Sequence, residues 1–69
     1  MTVSQLEGFV AGVLGHSSYK VLLEEDKHLY VQLPTFKDVR KMCNALIKQT
    51  VDFMVIFQKT TEVTYIRIM

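Results

Sequence analysis

Two segments that start thirty-three positions apart, TVSQLEGFVAGVLG at Thr2 and TFKDVRKMCNALIK at Thr35, open in the same way. Each sets a threonine ahead of an apolar stripe at helical spacing. Each also sets a side chain three positions on, Gln5 or Asp38, where a capping partner stands. The stripe of the first is Val3, Leu6, Phe9, Val10, Val13 and Leu14, and that of the second is Phe36, Val39, Met42, Cys43, Leu46 and Ile47. The first helix should run from about Val3 to Leu14, with Gly15 free to take the positive φ at which helices stop. Pro34 precedes the second cap and blocks extension of whatever strand comes before it.

Each helix is followed by two segments rich in strand formers, SYKVLLEE and HLYVQL, then VDFMVIFQK and EVTYIRIM. The intervening EEDKH and QKTTE are polar enough for hairpin turns, although neither holds Asn-Gly or Asp-Gly. The plan is therefore αββαββ: an α+β two-layer sandwich in which two helices cover one face of a four-stranded, mostly antiparallel sheet. Internal duplication of residues 2–33 in 35–69 is one account of the symmetry, and shared amphipathic periodicity is the other.

Sixty-nine residues suffice for a single domain, residues 1–69, with one core. Such a core supplies only about 3–5 kcal/mol unless a disulfide, a metal or association adds to it. The single cysteine, Cys43, excludes an intrachain disulfide and reads as a small buried hydrophobe in a reducing compartment, hence a cytoplasmic location. Apolar runs reach about five residues, against the roughly twenty a membrane span needs, and Glu7 interrupts the N-terminal apolar stretch that a secretory signal would keep. No membrane association is expected.

Alternation along the strands sorts their side chains into two sets. Tyr19, Val21, Leu23, Leu29, Val31, Leu33, Phe53, Val55, Phe57, Ile66 and Ile68 should face the helices. The opposite face should carry Lys20, Leu22, Glu24, His28, Tyr30, Gln32, Met54, Ile56, Gln58, Val63, Tyr65 and Arg67. Leu22, Tyr30, Met54, Ile56, Tyr65 and Arg67 make that face more apolar and aromatic than water favours, so they are the expected partner-binding residues.

The first helix has an unusual second side. Ser4, Gly8, Ala11, Gly12 and Gly15 lie there, and Glu7 is the only charge in the element. A mid-helix glycine costs roughly 1 kcal/mol relative to alanine, and small residues at this spacing let another backbone approach. These five residues are the expected self-association surface of a homodimer. The second helix instead presents Lys37, Arg40, Lys41 and Lys48, half of the chain's eight cationic side chains. They are a solvated face or a basic patch for phosphates.

Catalytic chemistry is poorly represented. His16 and His28 have no partner at metal-ligand spacing, Glu24–Glu25–Asp26 reads as a solvated hairpin tip, and the glycines lack the strand and Lys-Ser/Thr of a phosphate loop. The expectation is a non-enzymatic protein-interaction module without cofactor or metal, an adaptor or inhibitor of the kind a virus or phage directs at a host factor. Nucleic-acid binding, through the open sheet face or the basic side of the second helix, is the alternative. The net charge of +1 is low for it.

Overall fold

All 69 residues are described by the structure, a computed structural model. Helix α1 spans Val3–Leu14 and is followed by strands β1, Lys20–Leu23, and β2, Leu29–Leu33; helix α2 spans Phe36–Lys48 and is followed by β3, Phe53–Gln58, and β4, Val63–Ile68. The two halves are helix, strand, strand, as the repeated sequence pattern predicts. No helix is long and apolar enough to cross a membrane.

The helix ends form where the capping chemistry sits. At α1 the Thr2 hydroxyl accepts from the Gln5 N–H at 3.2 Å while the Thr2 N–H donates to Gln5 Oε1 at 2.9 Å, a closed capping box. At α2 the Thr35 hydroxyl accepts from the Asp38 N–H at 3.2 Å. Gly15 stops α1 at φ 74°, its N–H donating to the Ala11 carbonyl. At the other end of α2 the left-handed position falls on Thr50, φ 54°, where a β-branched side chain is strained. The Thr50 and Val51 N–H groups there close onto the carbonyls of Ile47 and Leu46.

The sheet order is β1-β2-β4-β3 with every pair antiparallel. The second strand of each half meets its counterpart at the centre, Val31 opposite Ile66, and the first strands form the two edges. Leu29, Val31, Leu33, Ile66 and Ile68 on one face join Leu6, Val10 and Leu14 of α1 and Met42 and Leu46 of α2 in a single buried cluster. Thr64 is the one polar strand residue buried on this face.

Two expectations fail, one at the sheet edges and one on α2. Leu23, Val55 and Phe57 have the expected parity, since each lies opposite a helix-facing neighbour, yet all three are exposed. At the β3 edge the helix layer is too narrow: α1 lies over β1 and α2 over β2, while β3 packs edge-on against β4; Leu23 is instead the last residue of β1, at the other edge. Likewise Phe36 and Ile47, assigned to the apolar stripe of α2, are 77% and 63% exposed. The caps of the two helices match at a spacing of thirty-three, but α1 buries positions 6, 10 and 14 whereas α2 buries 38, 42 and 46, a spacing of thirty-two. One residue is about 100° of helix. Relative to α1, α2 is therefore rolled so that Asp38 turns inward, Phe36 turns toward Phe57 of β3 and Ile47 is left exposed.

The inward turn of Asp38 has a partner. His16, in the loop after α1, approaches Asp38 Oδ1 through Nε2 at 3.1 Å, and its Nδ1 accepts from the Ser18 N–H at 3.0 Å. With Nδ1 occupied as an acceptor, the ring proton sits on Nε2 and is donated to the carboxylate. The Asp38 carboxyl is held below the usual carboxylate range, chiefly by this bond, with the Thr35 hydroxyl and the Lys41 charge acting in the same direction against the cost of burial.

Candidate functional site

The sheet face opposite the helices carries the residues expected there. Cross-strand pairing arranges them in two rows: Leu22, Tyr30, Arg67 and Met54 in one, Lys20, Gln32, Tyr65 and Ile56 in the other. All six expected partner-binding residues thus share one surface. Met54 is exposed, whereas Leu22, Tyr30, Ile56, Tyr65 and Arg67 are half-buried among their neighbours.

The β1–β2 turn covers part of this face, which sequence pattern did not anticipate. Asp26 organises the turn: Oδ1 accepts from the His28 N–H at 3.0 Å and Oδ2 accepts from the Tyr30 hydroxyl at 2.6 Å. Lys27 takes a left-handed φ of 65°, a position where glycine is the usual signal and where none is present. The consequence is a depression of about 510 Å³, floored by Tyr30, Ile56, Gln58 and Tyr65 and lipped by Glu24, Glu25 and Asp26. Leu22, Met54 and Arg67 lie on the same face outside it.

The lip is electrostatically defined. The Asp26 carboxyl is held below the ordinary range, first by the Tyr30 hydroxyl and then by the His28 N–H. The Tyr30 phenol is pushed above its ordinary value, first by the hydrogen bond its hydroxyl donates to Asp26, then by burial and by the Asp26 charge. His28 Nδ1 also stands 3.6 Å from Asp26 Oδ2. Beside Tyr30, the buried Nε of Arg67 has no hydrogen-bond partner within the chain.

The other expected surfaces are separate from this one. Lys37, Arg40, Lys41 and Lys48 are all exposed along α2, and the carboxylate contacts in the chain are made by His16 to Asp38 and His28 to Asp26, so none of the four is neutralised by a carboxylate contact. Ser4, Gly8, Ala11, Gly12 and Gly15 are exposed along α1. Nothing in the chain lies within 4 Å of where a Cβ would stand on Gly8 or Gly12, so packing within the chain is not what requires glycine there. Gly8→Ala and Gly12→Ala should each stabilise the isolated chain by about 0.5–1 kcal/mol through helix propensity. Denaturant melts read alongside molar mass check this; loss of stability or mass on adding a methyl would mark a close approach of a second backbone to α1.

Both histidines pair with aspartates, relations between positions 22 and 2 apart that local spacing does not single out as sites. No cluster of three or more His, Cys, Asp or Glu side chains is arranged to hold a metal ion. Burial pushes the Cys43 thiol above its ordinary value, away from the reactive thiolate. In comparisons with protein-family models, with curated proteins and with solved structures, the chain matches none.

Proposed function

We propose that this chain is a non-catalytic protein-binding module whose open sheet face receives a basic, partly apolar segment of a partner, in an adaptor or inhibitor role in the cytosol. The observation that carries this reading is the depression of about 510 Å³ in which the aromatic floor of Tyr30 and Tyr65 meets the carboxylates of Glu24, Glu25 and Asp26. Aromatic floors supply apolar area at little conformational cost, and a lip of like charge selects the opposite sign in a partner. The lone, unreactive Cys43 suits a reducing compartment. The same lip disfavours the sheet-based version of nucleic-acid binding, since phosphates approaching Tyr30 and Tyr65 would meet three carboxylates.

The second reading, nucleic-acid binding along α2, draws on the four exposed and unneutralised cations Lys37, Arg40, Lys41 and Lys48. Titration of the labelled chain with an Arg/Leu-containing peptide and, separately, with a random single-stranded oligonucleotide distinguishes the two. The module reading expects peptide-induced shifts at Tyr30, Ile56 and Tyr65 that are lost in Glu24→Lys/Glu25→Lys. Shifts confined to α2, seen only with the oligonucleotide and weakening with salt at a log–log slope of about −3, would replace it.

A further inference from the structure

Strand β3 pairs with β4 along one edge and leaves its other edge free. We propose that a second copy of this chain adds its β3 antiparallel to the first, centred on Val55, to form a continuous eight-stranded sheet. The proposal goes beyond the open-face reading and stands on other observations.

The first is main-chain direction. The Met69 N–H donates to the Asp52 carbonyl at 3.0 Å, and Phe53 lies opposite Ile68, so positions 52, 54, 56 and 58 turn their polar backbone groups toward β4. Phe53, Val55 and Phe57 then turn theirs outward. Under a two-fold axis at Val55, Phe53 falls opposite Phe57 of the other copy and Val55 opposite its own equivalent. Each of these three pairs exchanges two N–H···O bonds, and every outward group of the strand finds a partner.

The second is side-chain character. The same three residues face the helix side of the sheet: Phe53 packs against the edge of the core, while Val55 and Phe57 are 46% and 51% exposed. Phe36 of α2 shares a groove with Phe57, and Ile47 is exposed farther along the same helix. With Met54 on the opposite face, these side chains present on the order of 500 Å² of apolar surface per copy, and two copies reach the lower limit of a specific interface.

The third is charge. No ionisable residue occurs between Asp52 and Lys59. The proposed register brings Asp52 of each copy beside Gln58 and Lys59 of the other, so opposite charges meet at both ends; a parallel arrangement would set like against like. Natural free edges are usually protected by a lysine, a proline, a bulge or shortness. The opposite edge is short, since β1 has four residues, starts at Lys20 and lies beside α1, whereas β3 has six residues and none of these devices.

The test is sedimentation of the full chain from about 1 μM to about 1 mM, the range in which an interface of this size assembles, combined with amide hydrogen exchange. The expected result is a doubling of the 8.0 kDa mass with rising concentration. The Phe53, Val55 and Phe57 amides should slow in parallel with assembly, while those of Met54 and Ile56 are already slow in the monomer. Val55→Lys sets two cations across the axis at an exposed position and should weaken assembly at least about tenfold, whereas Val55→Thr should retain it. A mass that stays at 8.0 kDa throughout, or a dimer in which the three outward amides exchange freely, overturns the proposal from the wild-type chain alone.

Discussion

Leu46→Ala should leave most of the chain unfolded at 37 °C. Leu46 is fully enclosed by α1, α2 and the two central strands, and removing three carbons from such a site costs about 2–5 kcal/mol once the cavity is counted. A core of this size holds only about 3–5 kcal/mol in total. The adjacent substitution, Ile47→Ala, removes a side chain that is 63% exposed and should cost less than about 1 kcal/mol in dilute solution. Urea melts of the two variants, followed by circular dichroism at low concentration, check the pair. Equal losses would mean that α2 is not rolled as described, because the roll is what separates these neighbours.

Asp38→Ala is the second large effect. It removes the carboxylate that receives the His16 ring proton and stands near the positive end of the α2 dipole, while the Thr35 cap on the residue 38 N–H survives, for an expected loss of about 1–3 kcal/mol. The pH dependence follows from the direction of its shift. The folded carboxyl titrates below the unfolded one, so its stabilisation is complete above the unfolded value of about 3.9 and disappears as pH falls through the folded value. Wild type should lose stability between about pH 5 and about pH 2 more steeply than Asp38→Asn, which keeps the shape and removes the titration. A loss of equal steepness in both would show that Asp38 contributes no part of the acid response.

The parts of this fold that were legible in the sequence are those fixed by neighbours along the chain. Thr2 with Gln5, Thr35 with Asp38, and Gly15 located the helix ends because caps are decided within four residues. Strand parity was legible for the same reason, and it placed Tyr30, Ile56, Tyr65 and Arg67 on one face. The roll of α2 was not, since Phe36, Val39, Met42, Cys43, Leu46 and Ile47 form an apolar arc wide enough for two orientations. The one adopted is accompanied by a hydrogen bond to a histidine 22 positions earlier. Nor was the acidic lip legible: Glu24–Glu25–Asp26 has the composition of any solvated turn, and only the Asp26–Tyr30 bond and the left-handed Lys27 bring it over the sheet. The exposure of Val55 and Phe57 depends on how far two helices extend over four strands, which no local pattern encodes.

The central position of β2 and β4 also separates local from long-range pairing in the sheet. Each hairpin closes across a turn of a few residues and can zip from its own tip, on the microsecond scale typical of such units. Leu29 and Ile68, at the middle of the sheet, are separated by most of the second half of the sequence, and α2 must be gathered before their ladder can form. The β2–β4 ladder therefore carries the largest loop-closure entropy of the three pairings in the sheet. That one central seam is also the sole strand pairing that joins the two halves of the chain.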